Sequence, residues 1–172
     1  MAKLKGKTVA ASEVEMIEVV LPNDTNPLGN VLGGRVMHLI DMAGAVAAHR
    51  HSRRILVTAS VDYLDFVHPI RVGQFIILKS RVTRVFHTSI EVEVRVFRED
   101  YMTGERLQTS SAFVTYVALD ETGRPRLVPA LIVRSREERQ RYREALERRR
   151  HRLAMAKRAH LRYFDKWQPK RR

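Results

Sequence analysis

The stretch "NDTNPLGNVLGGRVMHLID", residues 23–41, decides the fold. It opens on turn-forming residues, passes the glycine pair Gly33–Gly34, and runs into apolar sequence that holds one carboxylate, Asp41. From Gly34 to about Ser52 the residues Val36, Leu39, Ile40, Ala43, Ala47 and Ala48 recur at three- and four-residue steps, which predicts a helix. Gly44 and Ala45 in its middle let another backbone come close. A carboxylate between Ile40 and Met42 is costly to bury without partners. Asp41 therefore lies on an exposed stripe, pairs with a cation, or is functional.

Strands flank this helix. Val14–Pro22 is β-branched and apolar and stops at proline. After the helix come Ile55–Val67, the turn His68–Gly73, a run from Gln74 to Phe86, then Ile90–Phe97 and Arg106–Asp120. Ile90, Val92, Val94 and Val96 alternate with Glu91, Glu93 and Arg95, which puts the charges on the opposite sheet face. The order predicts a strand, a helix, then four antiparallel strands in a meander. No helix follows each strand, so the chain is not doubly wound; it reads as a two-layer α+β domain with one long helix on a five-stranded sheet. Residues 135–166 hold no Gly or Pro and are rich in Arg, Glu, Ala and Leu, which predicts a second helix. Tyr142, Leu146, Leu153, Ala156 and Tyr163 form a rough apolar stripe along it, as in a solvated helix docking weakly on its own oligomer.

A chain of 172 residues is long enough for one domain with a real core. It contains no cysteine, which excludes disulfides, thiolate metal ligands and thiol nucleophiles. Its start is basic but lacks the apolar core of a secretory signal, and no run approaches a membrane span, so the expected location is the cytoplasm. The net charge of +13 is uneven: residues 134–172 carry 16 basic and 5 acidic residues, leaving the body near neutral. Nucleic acid is thus a possible partner only through the tail. The expected division is an N-terminal segment 1–11, a domain 12–130 and a basic helical extension 131–172.

A helix start presents unpaired N–H groups and a partial positive charge. Gly33 and Gly34 either form only a tight turn or open those groups to a developing oxyanion, such as that of an ester or thioester. Asn30 in the preceding loop is either a turn residue or a hydrogen-bond partner for water or a substrate carbonyl. Gly34 and Asp41 share a helix face but stand about 10 Å apart along the axis. One helix cannot bring both to one carbon; two antiparallel copies can, which implies a site shared across a two-fold dimer.

"PNDTNPLGNVLGGRVMHLIDMAGAVAAHRH", with "VTASVDYLDFVHPIRVGQ" behind it, resembles the acyl-CoA hydrolase branch of the hotdog-fold thioesterases, over about residues 12–128. The resemblance implies a long helix wrapped by a curved antiparallel sheet, in homodimers that share a continuous sheet and commonly form trimers of dimers. It implies an acyl-CoA substrate, hydrolysed to a fatty acid and coenzyme A, with no cofactor and no metal. By position it makes Asp41 the general base or nucleophile, Asn30 the water- or carbonyl-binding asparagine, and the Gly34 N–H the oxyanion donor, with Gly33 beside it. For the coenzyme A end it points to Arg84, His87, Thr88 and Ser89 at a strand turn, a stretch that otherwise reads as a solvated hairpin. His68 and Pro69 read as turn residues. Two alternatives remain: a hotdog hydratase or dehydratase, for which His38 is the only histidine in the catalytic stretch, and a nucleic-acid-binding scaffold acting through the tail. Acyl chain-length preference is not legible.

Overall fold

A computed structural model of the chain describes residues 4–159. The elements are β1 (Lys7–Thr8), β2 (Val14–Val19), α1 (Gly33–Ser52), β3 (Ile55–Phe66), β4 (Phe75–Val85), β5 (Ser89–Glu99), β6 (Arg106–Leu119), β7 (Leu131–Ile132) and α2 (Arg136–Ala159). Tyr163 and the rest of the expected second helix beyond Ala159 lie outside the described residues.

The main sheet is antiparallel, in the order β2-β4-β5-β6-β3. The expected four-strand meander therefore holds only for β4, β5 and β6. β3 pairs with β6 rather than β4, at the opposite edge from β2. The cause is α1: its 20 residues span about 30 Å, enough to carry the chain from one edge of the sheet to the other. The helix starts at Gly33 behind Leu32 and ends where Arg53 turns left-handed, its N–H closing on His49 O at 2.8 Å.

The core lies between α1 and the inner sheet face. Val36, Leu39, Ile40, Ala43, Ala47 and Ala48 pack on Ile76, Leu78, Val82, Ile90, Val92, Val94, Val96, Val114 and Tyr116. The stepwise apolar pattern of α1 and the alternation of β5 both point inward, since only that arrangement removes these side chains from water.

The outer face is where the two-layer expectation fails. α2 covers it and makes a third layer. The face of β5 read as charged and outward holds Glu91, fully buried, and Glu93, nearly so. Their carboxylates are buried because α2 supplies arginines. Arg148 Nη2 lies 2.7 Å from Glu91 Oε1 and its Nε 3.3 Å from Oε2, while the guanidinium stacks 3.6 Å from the Phe113 ring centre. Thr83 Oγ1 donates to the same Glu91 Oε1 at 2.7 Å. Arg141 joins Arg81 on Glu93, and Arg152 pairs with Asp62 of β3. Ser135 and Glu138 cap the start of α2 reciprocally. The helix thus docks on its own sheet through buried ion pairs together with buried Ala145 and half-buried Tyr142 and Leu146, while Leu153 further along is exposed.

The flanking segments also meet. β1 and β7 pair in parallel, and Lys7 N donates to Ala130 O at 3.0 Å. Buried His51 at the end of α1 lies 2.9 Å from Pro129 O on the approach to β7.

Candidate active site

Asp41 sits two turns into α1, half-buried, on the side of the helix that meets β3 and β6. Thr58 Oγ1 donates to its Oδ1 at 2.7 Å. The Tyr116 hydroxyl donates to the Asp41 backbone carbonyl at 2.8 Å and stands 3.4 Å from the same Oδ1. Thr58 and Tyr116 are register partners across β3 and β6, so the pair reaches the helix from adjacent positions on one sheet face. A register shift follows at once, between Thr58 and Ser60. Burial, the Asp41 charge and the hydrogen bond to it push the Tyr116 phenol well above its ordinary range, so Tyr116 remains a donor. Oδ2 of Asp41 accepts no hydrogen bond among the described residues.

The Tyr116 hydroxyl reaches α1 because position 44 is glycine. A Cβ there would lie 2.4 Å from the hydroxyl oxygen. The cue of a close approach at Gly44 was visible in the sequence; that a tyrosine side chain, not a backbone, makes the approach was not.

The glycine pair is at the start of α1. The N–H groups of Gly33 and Gly34 donate to no acceptor among the described residues, and Leu32 offers no side-chain cap. A Cβ at Gly34 would meet nothing within 4 Å, so the helix start is open. Asn30 and Gly33 line a cavity of about 310 Å³ with Val36, Phe66, His68 and Ser110. Asp41 does not line it, so one chain keeps Asp41 apart from the glycines and Asn30.

Asn26 begins the same loop. Its Oδ1 accepts from Leu28 N at 3.0 Å and Asn30 N at 3.2 Å, and its N–H donates to Asn30 O at 2.8 Å. The two asparagines thus close one tight turn, with Gly29 between them at φ +73°.

The other candidates lie elsewhere. Arg84 stacks 3.9 Å from the Tyr142 ring centre and donates from Nη1 to Tyr142 O at 2.7 Å, so α2 engages it. His87 is exposed; the carbonyls of Thr88 and Ser89 are taken by Ala118 N and Phe86 N. His38 is exposed on α1 and bonds to nothing in the Asp41 cluster.

The described residues leave an apolar surface beside the site. Met37, Met42 and Val46 of α1 and Ile55, Val57, Val61 and Phe66 of β3 are all exposed, and β3 is an unpaired sheet edge.

The thioesterase superfamily profile matches residues 28–105. An acyl-CoA thioester hydrolase of Bacillus subtilis is 42% identical over 127 residues, 74% of each chain. A hexameric acyl-CoA thioesterase of solved structure superposes with a TM-score of 0.85 at 38% identity, over 89% of this chain and 98% of that one. The acyl-CoA hydrolase of Staphylococcus aureus, solved with butyryl coenzyme A and coenzyme A, superposes with a TM-score of 0.83 at 29% identity, over 92% and 98%. Single alanine variants of that enzyme have also been solved, at an asparagine, an aspartate and a threonine. There the threonine follows the aspartate by 17 residues and the asparagine precedes it by 15. Here those spacings from Asp41 fall on Thr58 and on Asn26, not on Asn30. Sequence reasoning named neither: Thr58 looks like an ordinary outward strand residue, and Asn26 like the proline's turn partner.

Proposed function

Because the chain belongs to the acyl-CoA thioester hydrolases of the thioesterase superfamily, we propose that it hydrolyses acyl-CoA at a site shared by two subunits, with Asp41 as its reactive carboxylate. The observation that carries this is the one-sided grip on Asp41. Thr58 and Tyr116 both approach Oδ1, which leaves Oδ2 free for a water or a carbonyl carbon.

In the general-base form, Oδ2 takes a proton from water as its oxygen attacks the thioester carbon. The carbonyl oxygen becomes an oxyanion at the Gly34 N–H of the neighbouring subunit, where the helix dipole favours negative charge. The tetrahedral intermediate then collapses, the C–S bond breaks, and the coenzyme A sulfur leaves with the proton that Asp41 received. In the nucleophilic form Oδ2 attacks the carbon itself, and water hydrolyses the resulting anhydride. Asn26 is our preferred asparagine for orienting the water or carbonyl, on the spacing it shares with the S. aureus enzyme. Asn30 shapes the cavity next to Gly33.

The shared site is favoured by the helix length between Gly34 and Asp41 and by the bare edge of β3 with its apolar neighbours. A trimer of such dimers follows the hexameric state of the superposed thioesterase. We place the protein in the cytoplasm; no helix of the described residues is long and apolar enough to cross a membrane. His87, Thr88 and Ser89 remain candidates for the coenzyme A end, and Arg84 joins them if α2 releases it in the assembly.

The test is Asp41→Asn, assayed by thiol release from an acyl-CoA panel from acetyl to palmitoyl. Loss of about 10²-fold or more in kcat with the fold intact is expected. Near-wild-type turnover would sink the reading. A single turnover in ¹⁸O-water tests the nucleophilic route, since attack of water on the Asp41 carbon of the anhydride leaves the label in Asp41 and delivers an unlabelled Asp41 oxygen to the first acid released.

A further inference from the structure

We propose that Tyr116 is a positioning residue for this reaction, holding the Asp41 turn of α1 so that its carboxylate stays on Thr58. The inference rests on the reading that Asp41 is catalytic. Tyr116 is 1% exposed, and its hydroxyl is spent on the helix turn that carries the carboxylate. That carbonyl already lies within the helix ladder, so the phenol is an additional donor to it. The Asp41 turn is therefore tied to β6 by a polar bond, as Ser80 of β4 ties α1 at Ala43 O.

Three positions make this tie. Gly44 leaves the space that the phenol occupies. Tyr116 pairs in register with Thr58, so one cross-strand pair fixes both the backbone and the side chain of one aspartate. The register shift falls just after Thr58, so Ile55–Thr58 keep one alignment with β6 and the residues from Ser60 onward take another. A carboxylate held at one oxygen by a hydroxyl on a rigid sheet presents its other oxygen in a narrow range of directions, and catalysis is sensitive to about 1 Å of misplacement.

The groups that face Asp41 are few. β3 brings Thr58 and β6 brings Tyr116. β4 and β5 present apolar residues to α1, with Ser80 bonded to Ala43 O. On β2, Glu18 is held by Arg35 near the start of the helix, and His38 stands three residues before Asp41 on the exposed side of α1.

The experiment is Tyr116→Phe in the full-length protein, with a pH profile of kcat/KM. Expected are a kcat about 10-fold lower, a KM within about twofold, and an acid limb displaced to higher pH, because a donor to the charged carboxylate has gone. A purely structural tyrosine would change the melting temperature and leave the limb in place. Site-specific 3-fluorotyrosine at 116 keeps the shape and makes the donor more acidic, so the limb moves to lower pH; this arm reads even if Tyr116→Phe folds poorly. If both substitutions leave kcat and the limb unmoved while Asp41→Asn is inactive, the positioning role is wrong and the catalytic reading stands. If Asp41→Asn is active, the catalytic reading fails first.

Discussion

Arg148 lays its guanidinium on the Glu91 carboxylate, which has no exposure of its own, and stacks on Phe113. Removing the cation leaves a buried charge without a partner, which is more harmful than removing both. Arg148→Ala is expected to cost about 3 kcal/mol in chemical denaturation, and Arg148→Ala with Glu91→Gln to recover part of it. Deleting residues 134–172 is gentler at this point, since water then reaches Glu91. Equal losses for the single and double variants would contradict this.

If the glycines of one subunit serve the Asp41 of another, two inactive chains can mend each other. Asp41→Asn and Asn26→Ala, unfolded together and refolded, are expected to regain roughly a quarter of wild-type activity, from the random share of mixed dimers with one intact site each. Mixing the folded proteins without subunit exchange regains none. Failure of the co-refolded mixture, with dimers verified, would argue for a site within one chain.

Gly44→Ala puts a Cβ where the Tyr116 oxygen stands, and in a close-packed interior something must shift. A loss of about 1–3 kcal/mol is expected. Adding Tyr116→Phe removes the nearest atom and leaves contacts at 3.2 and 3.3 Å, so the double variant should melt above Gly44→Ala alone. Additive losses would mean that the two positions do not touch.

Burial holds His51 below its ordinary pKa of 6.5; the Pro129 carbonyl works against this and Lys7 adds to it. Above pH 6.5 the imidazole is neutral in both the folded and unfolded chain, and its contribution is complete. As pH falls below that value the unfolded chain takes up the proton first, so stability declines toward the lowered folded pKa, by at most about 1.4 kcal/mol per pH unit. His51→Gln is expected to be less stable at pH 7.5 but to show a flatter decline to pH 5.5. Parallel declines would assign the acid sensitivity to other groups.

Periodicity made α1 legible to within a residue, because its buried positions recur at the helix repeat and little else satisfies them. The strands were legible one at a time and their neighbours were not. Thr58 stands opposite Tyr116 only because α1 carries β3 to the far edge, and alternation in a strand says nothing of what lies beside it. The same limit hid the role of Glu91: its outward position was clear, while the helix that buries it is a matter of docking. Asn26 and Asn30 could not be separated by residue chemistry, since both serve one turn. Asp41 was different, because an isolated carboxylate in an apolar helix face demands an explanation from the sequence alone.

The place of β3 in the sheet has a consequence for synthesis. The strand emerges early, but its partner β6 follows some forty residues later, after β4 and β5 have already found each other. Until then Ile55–Phe66 has neither edge satisfied and carries exposed apolar side chains. The strand that waits longest for its partner in the main sheet is also the one a nascent chain must keep from its neighbours on the ribosome, and its second edge has no partner among the described residues.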